Sequence, residues 1–241
     1  MRVTRLYHAG PITCPQVLAL NADTSHHLAT VLRANVGDAV VIFNGDGAEY
    51  SGTIEQTHKK QVMVAITHQV LVQRESSIQI HLGQGLCRGE KMDWVIQKSV
   101  ELGVTEITPL ITDHSNVKLD AERSDKKHQH WQQVMISACE QSGRTVVPKL
   151  HPVKPLAQWI LETNAELKWL LNPNDNQSLK NQTKPNSIAL LIGPEGGLSN
   201  VEIAAAQNAG FNSIQLGPRV LRTETAPIVA LSVVQTLWGD F

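Results

Sequence analysis

Cysteine is scarce. The 241 residues hold only Cys14, Cys87 and Cys139, far apart and without a C-x-x-C pair. That argues against a disulfide framework or a thiolate zinc site, and the expectation for each is a small buried apolar residue. Long hydrophobic runs are also missing. No apolar stretch approaches the ~18 residues that span a bilayer, and "MRVTRLYHAG" carries no signal-peptide core, so a cytoplasmic protein with no membrane partner is expected. Charge of one sign is not in excess either. With 21 basic and 22 acidic residues the net charge is −1, unlike a protein that grips nucleic acid over its whole surface, so any such contact must be local. What remains is 41% hydrophobic and 18% charged residues, enough for one large or two modest domains with real cores.

The glycine-rich stretch "SIALLIGPEGGLSNVEIAAAQNAG", residues 187–210, lacks something too. An apolar run feeds a three-glycine loop and then a helix, the layout of a phosphate cradle. Yet no lysine or arginine lies between Gly193 and Glu202, the spacing fits neither G-x-x-x-x-G-K-[ST] nor G-x-G-x-x-G, and Glu195 would repel an anion. A ligand that is neutral or cationic at this point is expected.

Residues 1–72 read as a small β-rich domain. "VGDAVVIFNGDGAEYSGTIEQTHKKQVMVAIT" has short apolar runs with partial alternation, broken by the hairpin signals Asn44-Gly45 and Asp46-Gly47. "DTSHHLATVLR" predicts one short helix capped by Thr24 or Ser25, and "VLVQRESS" a linker. From there to residue 241 the rhythm is strand, loop, helix, which predicts an α/β domain with a largely parallel sheet. Strands are expected in "IQIHLGQGL", "VTEITPLIT", "LKWLLNP", "SIALLIG" and "FNSIQLG". Helices are expected over "EKMDWVIQKSVELG" with Trp94, Leu102 and Val95 or Ile96 buried, over about 121–142, near 156–163, after a Ser199/Glu202 capping box, and from about Pro227. "NPNDNQSLKNQTKPN" is read as a surface loop.

Ligands of open parallel sheets bind where loops leave the carboxyl ends of the strands. Three such loops are unusual in their residues: "LLNP", "IGPEGG" and "LGPRVLRTETAP". The third sets Arg219, Arg222, Thr223, Glu224 and Thr225 ahead of a helix, as a polar reaction centre would, with capping and an ion pair as the competing account.

"LLIGPEGGLSNVEI" followed by "LGPRVLRTETAPIVAL" resembles the two signature segments of the RsmE family, the 16S ribosomal RNA (uracil-N3) methyltransferases of the SPOUT superfamily. "HHLATVLRANVGDAVVIFNGDG", "DWVIQKSVELGVTEITPLIT" and "ACEQSGRTVVPKL" extend the similarity over nearly the whole chain. One departure is Arg88 in "GLCRGEK", where lysine is expected.

The resemblance implies a PUA-like N-terminal β-barrel, a SPOUT-type parallel sheet with a trefoil knot, S-adenosylmethionine as cofactor, and a homodimer. It also implies a substrate uridine in the decoding region, within the 30S subunit or a late assembly particle. Gly193, Gly196 and Gly197 would let backbone approach the cofactor. Leu171, Leu216 and Leu221 would wall its adenine, with Asn172, Pro194, Glu195, Gly217, Thr223 and Ala226 completing the pocket. Glu195 would tolerate the sulfonium or cap the next helix.

N3 of uracil is a weakly acidic imide, so methyl transfer needs a base and an orienting cation. Arg222 is expected to stabilise charge on the uracil carbonyls; Glu224 acts as base, or only positions Arg222. Arg2, Arg5, Arg33, Arg88, Lys91, Lys98 and Arg144 are the candidates for meeting RNA. Glu140, Gln141 and Arg144 complete a partner's pocket or form a helix-end network. His26 and His27 lack metal-like spacing, and no metal is expected. Competing readings are a methyltransferase acting on transfer RNA or a small molecule, and a non-catalytic RNA-binding protein that has kept the fold.

Overall fold

The computed structural model describes residues 3–58, 61–115, 120–173 and 183–241. Arg2 and residues 174–182 of the polar loop lie outside them. Internal contacts divide the chain into two units, 1–75 with 139–147, and 76–138 with 148–241.

In the first unit, alternating apolar residues make a sheet with one buried face. Val40 and Ile42 of β3 (Ala39–Phe43) and Val62, Val64 and Ile66 of β5 (Gln61–Leu71) point inward. Between β3 and β4 (Ala48–His58) the chain turns on Gly45 and Gly47, at φ +98° and +89°, which a side chain would resist. β1 (Thr4–Tyr7) joins parallel to β3, and β2 (Gln16–Ala19) antiparallel to β5, giving the order β1-β3-β4-β5-β2. Register shifts at Ser51/Gly52 and Ile54/Gln56 bend β4. At Gly52 the neighbouring strand is so near that a Cβ would lie 2.3 Å from the Ala65 carbonyl oxygen. All five strands feed one core with Leu28 at its helical side.

The short helix α1 (Ala22–His26) continues into a wider π turn, His27–Val31. Its cap is Asn21, whose Oδ1 accepts from Thr24 N at 2.8 Å, not Thr24 or Ser25. Ser25 is buried instead, its hydroxyl donating to Leu20 O and accepting from Val62 N at 3.0 Å.

Glu49 pairs with both Arg5 and Arg74 in this unit. Burial acts to raise its pKa, but hydrogen bonds from Arg74 and Arg5, and then their charges, outweigh it and hold the carboxyl below the usual range. The folded value is below the unfolded one, so the stabilisation is present at neutral pH and lost as pH falls through the folded value. Urea unfolding of Glu49→Gln is therefore expected to show a deficit against the parent at pH 7 that narrows toward about pH 3, below ordinary carboxylate values. A gap independent of pH would rule this out.

The second unit is a parallel sheet of β6 (Gln79–Gly85), β7 (Glu106–Ile111), β10 (Leu167–Leu171), β11 (Ser187–Ile192) and β12 (Asn212–Ile214), with short β8 (Lys149–Leu150) and β9 (Lys154–Pro155) both on β7. The order is β12-β10-β11-β6-β7-β8 and every described pair is parallel. Ile188 to Ile192 are buried without interruption, as a strand covered on both faces requires. α4 (Leu156–Glu162) and α5 (Asn200–Asn208) pack together on the sheet, and Trp159, Ile160 and Phe211 fill that core. α2 (Lys91–Glu101) packs with α6 (Ala226–Trp238), which lies on β11.

In α2 the buried residues are Met92, Val95, Ile96, Ser99 and Val100. Trp94 is 48% exposed, its ring 5.0 Å from the Lys98 ammonium. The i, i+3, i+4 set built on Met92 faces inward and turns Trp94 out, against the sequence expectation. α3 (Ala121–Ser142) ends at Gly143, φ +88°, and its last turn, from Cys139, belongs to the first unit. Among the described residues no helix is long and apolar enough to cross a membrane.

Candidate active site

Register places the ends of four strands at one edge: Ile192 lies opposite Gln84, Leu191 opposite Leu170, and Leu171 opposite Ile214. The loops leaving β10, β11 and β12 there enclose a cleft of about 640 Å³. Leu171, Asn172, Gly193, Pro194, Glu195, Gly196, Gly197, Leu216, Gly217, Leu221, Thr223 and Ala226 all line it, as do Arg222 and Glu224. Ile192, Leu198, Ile203 and Ile214 add to its apolar wall.

The glycines give the cleft its shape. A Cβ on Gly193 would come 3.0 Å from the Gly197 carbonyl carbon, and one on Gly196 would come 2.9 Å from His114 Cβ. Gly197 and Gly217 hold φ of +69° and +81°. Thr223 Oγ1 donates to Gly193 O at 2.7 Å, and the buried Gln84 donates through Nε2 to Thr223 Oγ1 at 3.2 Å and Gly193 O at 3.3 Å. The loops after β11 and β12 are thus fastened to each other and to the end of β6.

Glu195 does not cap α5, because Ser199 and Glu202 form the capping box. Its Oε1 instead accepts from Arg88 N and Lys91 Nζ, each at 3.1 Å. Burial acts to raise this carboxyl, but the backbone donors and then Lys91 bring it below the ordinary range. Glu224 is 18% exposed at its side chain and Arg222 is 83% exposed, with Nη1 4.0 Å from Glu224 Oε1. The other oxygen, Oε2, is buried and accepts no hydrogen bond; Lys91 Nζ stands 3.6 Å from it. Burial pushes the Cys87 thiol up to about 11. A protonated thiol there is no nucleophile at neutral pH.

The residues expected to meet RNA separate. Arg33 and Arg88 are exposed. Lys98 is bound to Glu101 at 2.7 Å, and Lys91 lines the cleft. Arg5 and Arg144 are internal, which corrects the sequence expectation. Arg5 holds Glu49 and donates to Gly143 O and Arg144 O at 3.1 and 3.2 Å, and Arg144, 5% exposed, holds Glu75. Guanidinium groups buried and held this way inside the unit are not presented to phosphate. Glu140 accepts from Tyr7 N at 3.0 Å, part of the same helix-end network.

Sequence reasoning passed over Gln84 and His114, whose Nδ1 meets Gly196 O at 3.0 Å. The signal for Gln84 was a polar residue between two glycines at the end of an apolar strand. At the strands' other end His151 Nε2 meets Glu106 Oε2 at 2.5 Å and His81 stacks on His151 at 5.2 Å. Trp159 Nε1 donates to His81 Nε2 at 3.3 Å, and Thr108 Oγ1 lies 2.8 Å from the same nitrogen, so its lone pair is already engaged.

The chain, with a parallel α/β unit that carries a cleft at its strand ends and a separate β-rich unit, matches the RNA methyltransferase domain over residues 74–235 and the RNA methyltransferase PUA domain over residues 20–67. That defines an RNA methyltransferase with a PUA-type domain. Ribosomal RNA small subunit methyltransferase E of Buchnera aphidicola subsp. Acyrthosiphon pisum is 34% identical over 100% of this chain and 96% of its own length. The chain belongs to the ribosomal RNA small subunit methyltransferase E family. Among solved structures, a Legionella pneumophila protein in complex with bound SAM is 44% identical, with TM-score 0.98 over 100% of both chains. The Neisseria gonorrhoeae ribosomal RNA small subunit methyltransferase E bound to S-adenosyl methionine is 36% identical, with TM-score 0.93 and the same coverage.

Proposed function

We propose that this protein transfers a methyl group from S-adenosylmethionine to N3 of one uridine in the decoding region of 16S rRNA, within the small subunit or a late assembly particle. The observation that carries the reading is the convergence of three loops on a cleft lined by every residue expected for that cofactor, in a chain of this family.

The residues fit the cofactor. Leucines offer an apolar wall for an adenine, the glycines leave room for close backbone approach, and Glu195 supplies the negative charge that suits a sulfonium. When bound, S-adenosylmethionine supplies an electrophilic methyl group. The Glu224 carboxylate, part-exposed at the cleft and accepting no hydrogen bond at Oε2, accepts the N3 proton. Its other oxygen is 4.0 Å from Arg222, beyond a hydrogen bond, which favours the base over a mere orienter of Arg222. Arg222, reaching out from the cleft, stabilises charge on the uracil carbonyls. Arg33, Arg88 and Lys98 are the remaining contacts proposed for phosphate.

The reading includes a cytoplasmic homodimer and a trefoil knot in the C-terminal domain. The insertion of β11 between β10 and β6 and the bond from Thr223 to Gly193 agree with such a knot.

The test is methyl transfer from labelled cofactor to small subunits lacking the modification, with naked 16S rRNA and transfer RNA in parallel. N3-methyluridine is expected on the particle. Cofactor binding with label on transfer RNA alone would overturn the substrate and keep the chemistry.

A further inference from the structure

We propose that Lys91 is a third active-site residue, which together with Glu224 and Arg222 reads the imide edge of uracil and rejects cytosine; the inference rests on the methyl-transfer reading above.

The geometry is a carboxylate between two cations. Glu224 has Lys91 Nζ 3.6 Å from Oε2 and Arg222 Nη1 4.0 Å from Oε1. Both distances exceed a hydrogen bond, so neither cation spends a donor on Glu224; Lys91 keeps one contact to Glu195, and the 18% of the Glu224 side chain that is exposed is what a ligand meets. The site thus presents donor, acceptor, donor. The N3 edge of uracil presents the complement: a carbonyl oxygen, the N3–H, and a second carbonyl oxygen. Cytosine presents an oxygen, a bare ring nitrogen and an amino group, so its N3 lone pair would face the Glu224 carboxylate and its amino group one of the cations. Of these mismatches the one at Glu224 counts most, because the carboxylate is the least exposed member of the set and would be left facing a lone pair without a donor.

The same arrangement serves the chemistry. The N3–H bond breaks with its proton passing to a Glu224 oxygen and its electron pair staying on N3, spread over the two flanking carbonyl oxygens. That pair forms the new bond to the methyl carbon as the carbon–sulfur bond breaks, and sulfur keeps the released pair as a neutral thioether. Charge develops on two oxygens, and the proposal places one cation at each.

Lys91 is suited to its side. It opens α2 directly after the loop from β6, and Glu195 Oε1 at 3.1 Å anchors its ammonium. That hydrogen bond, with the charges of Glu195 and Glu224, raises its pKa and keeps it protonated. At 38% side-chain exposure it lines the cleft and stays within reach of a base entering from solvent. This use differs from the phosphate contact suggested by sequence, and the two uses separate experimentally.

Lys91→Met and Lys91→Arg should be compared with the parent on small subunits lacking the modification, with cofactor affinity measured by calorimetry. For Lys91→Met kcat is expected to fall by about 10²-fold or more, with cofactor Kd changed by less than about threefold, the range of a minor contact. Lys91→Arg should recover part of the rate because it keeps the charge. On particles reconstituted with 5-fluorouridine RNA, whose N3 proton is more acidic, the deficit of Lys91→Met should shrink by about tenfold.

A rise in KM with a shallower salt dependence and intact kcat would make Lys91 a phosphate contact and overturn the proposal. A cofactor Kd that rises in step with the loss of rate, or no recovery with 5-fluorouridine, would make it structural and overturn it too. If the parent protein itself leaves the particle unmethylated, the methyl-transfer reading falls and this inference with it. Loss confined to Lys91→Met in the face of an active parent concerns Lys91 alone.

Discussion

Glu224→Gln is expected to lower kcat for methyl transfer by roughly 10²–10⁴, the usual worth of a general base, while cofactor affinity changes by less than about threefold. The reason is local. Glutamine keeps the shape of the side chain and removes its capacity to take a proton. Glu224 Oε2 accepts no hydrogen bond in the protein, and Lys91, 3.6 Å from it, and Arg222, 4.0 Å from Oε1, both stand beyond hydrogen-bond range. A carboxylate held this way is costly to bury, and the N3–H of a uracil is a donor that satisfies it. Single-turnover rates with labelled cofactor, alongside calorimetric titration, make the distinction. Retention of more than about a tenth of the parental rate would remove Glu224 from the role of base, leaving it as the negative partner of Lys91 and Arg222. A matching loss of cofactor affinity would instead assign it to the cofactor pocket.

Gly85→Ala is the second large effect, and it works through packing. Gly85 ends β6 directly beneath the loop after β11, where a Cβ would lie 2.5 Å from Pro194 N and 2.9 Å from the Gly193 carbonyl carbon. Both neighbours are backbone, so neither can rotate away. The loop that Gln84 and Thr223 fasten must lift. Overpacking of this kind costs roughly 1–3 kcal/mol, which for a domain of this size lowers the melting temperature by about 2–12 °C. Cofactor affinity is expected to fall by at least about tenfold, or about 1.4 kcal/mol, because the displaced loop supplies Gly193 to Gly197 to the cleft. Thermal unfolding and calorimetry on one preparation test this. Unchanged affinity despite a lowered melting point would show that the loop's position does not govern the cleft.

How much of this was legible in the sequence varies by element. The parallel strands and the helix over 121–142 were legible because a strand buried on both faces is a continuous apolar run and a long helix ends on a glycine. So was the Ser199/Glu202 capping box, since its partners are three residues apart. The site loops could be singled out because they follow strand ends, where α/β folds bind ligands. Legibility failed where the partner of a side chain is distant in the chain. Arg5 and Arg144 read as surface cations, yet Arg5 is tied to Glu49, forty-four residues away, and Arg144 to Glu75, sixty-nine residues away. Trp94 read as core because tryptophan usually is. Its place on α2 turns it outward, with Lys98 over its ring.

By itself the sequence determined the alternation of strands and helices, the loop that refuses an anion, and the family segments that name the chemistry. These are short-range properties, set by periodicity, backbone freedom and charge within a few residues. Only the tertiary structure decided that residues 139–147 join the first unit, that Gln84 and Thr223 fasten two loops, and that Lys91 stands between Glu195 and Glu224. Lys91 lies more than a hundred residues from either glutamate in the chain. The parallel pairing of β6 with β11 sets Lys91 beside Glu195, and the bond from Thr223 to Gly193 brings Glu224 to the same place, so that both charges lie within 4 Å of it.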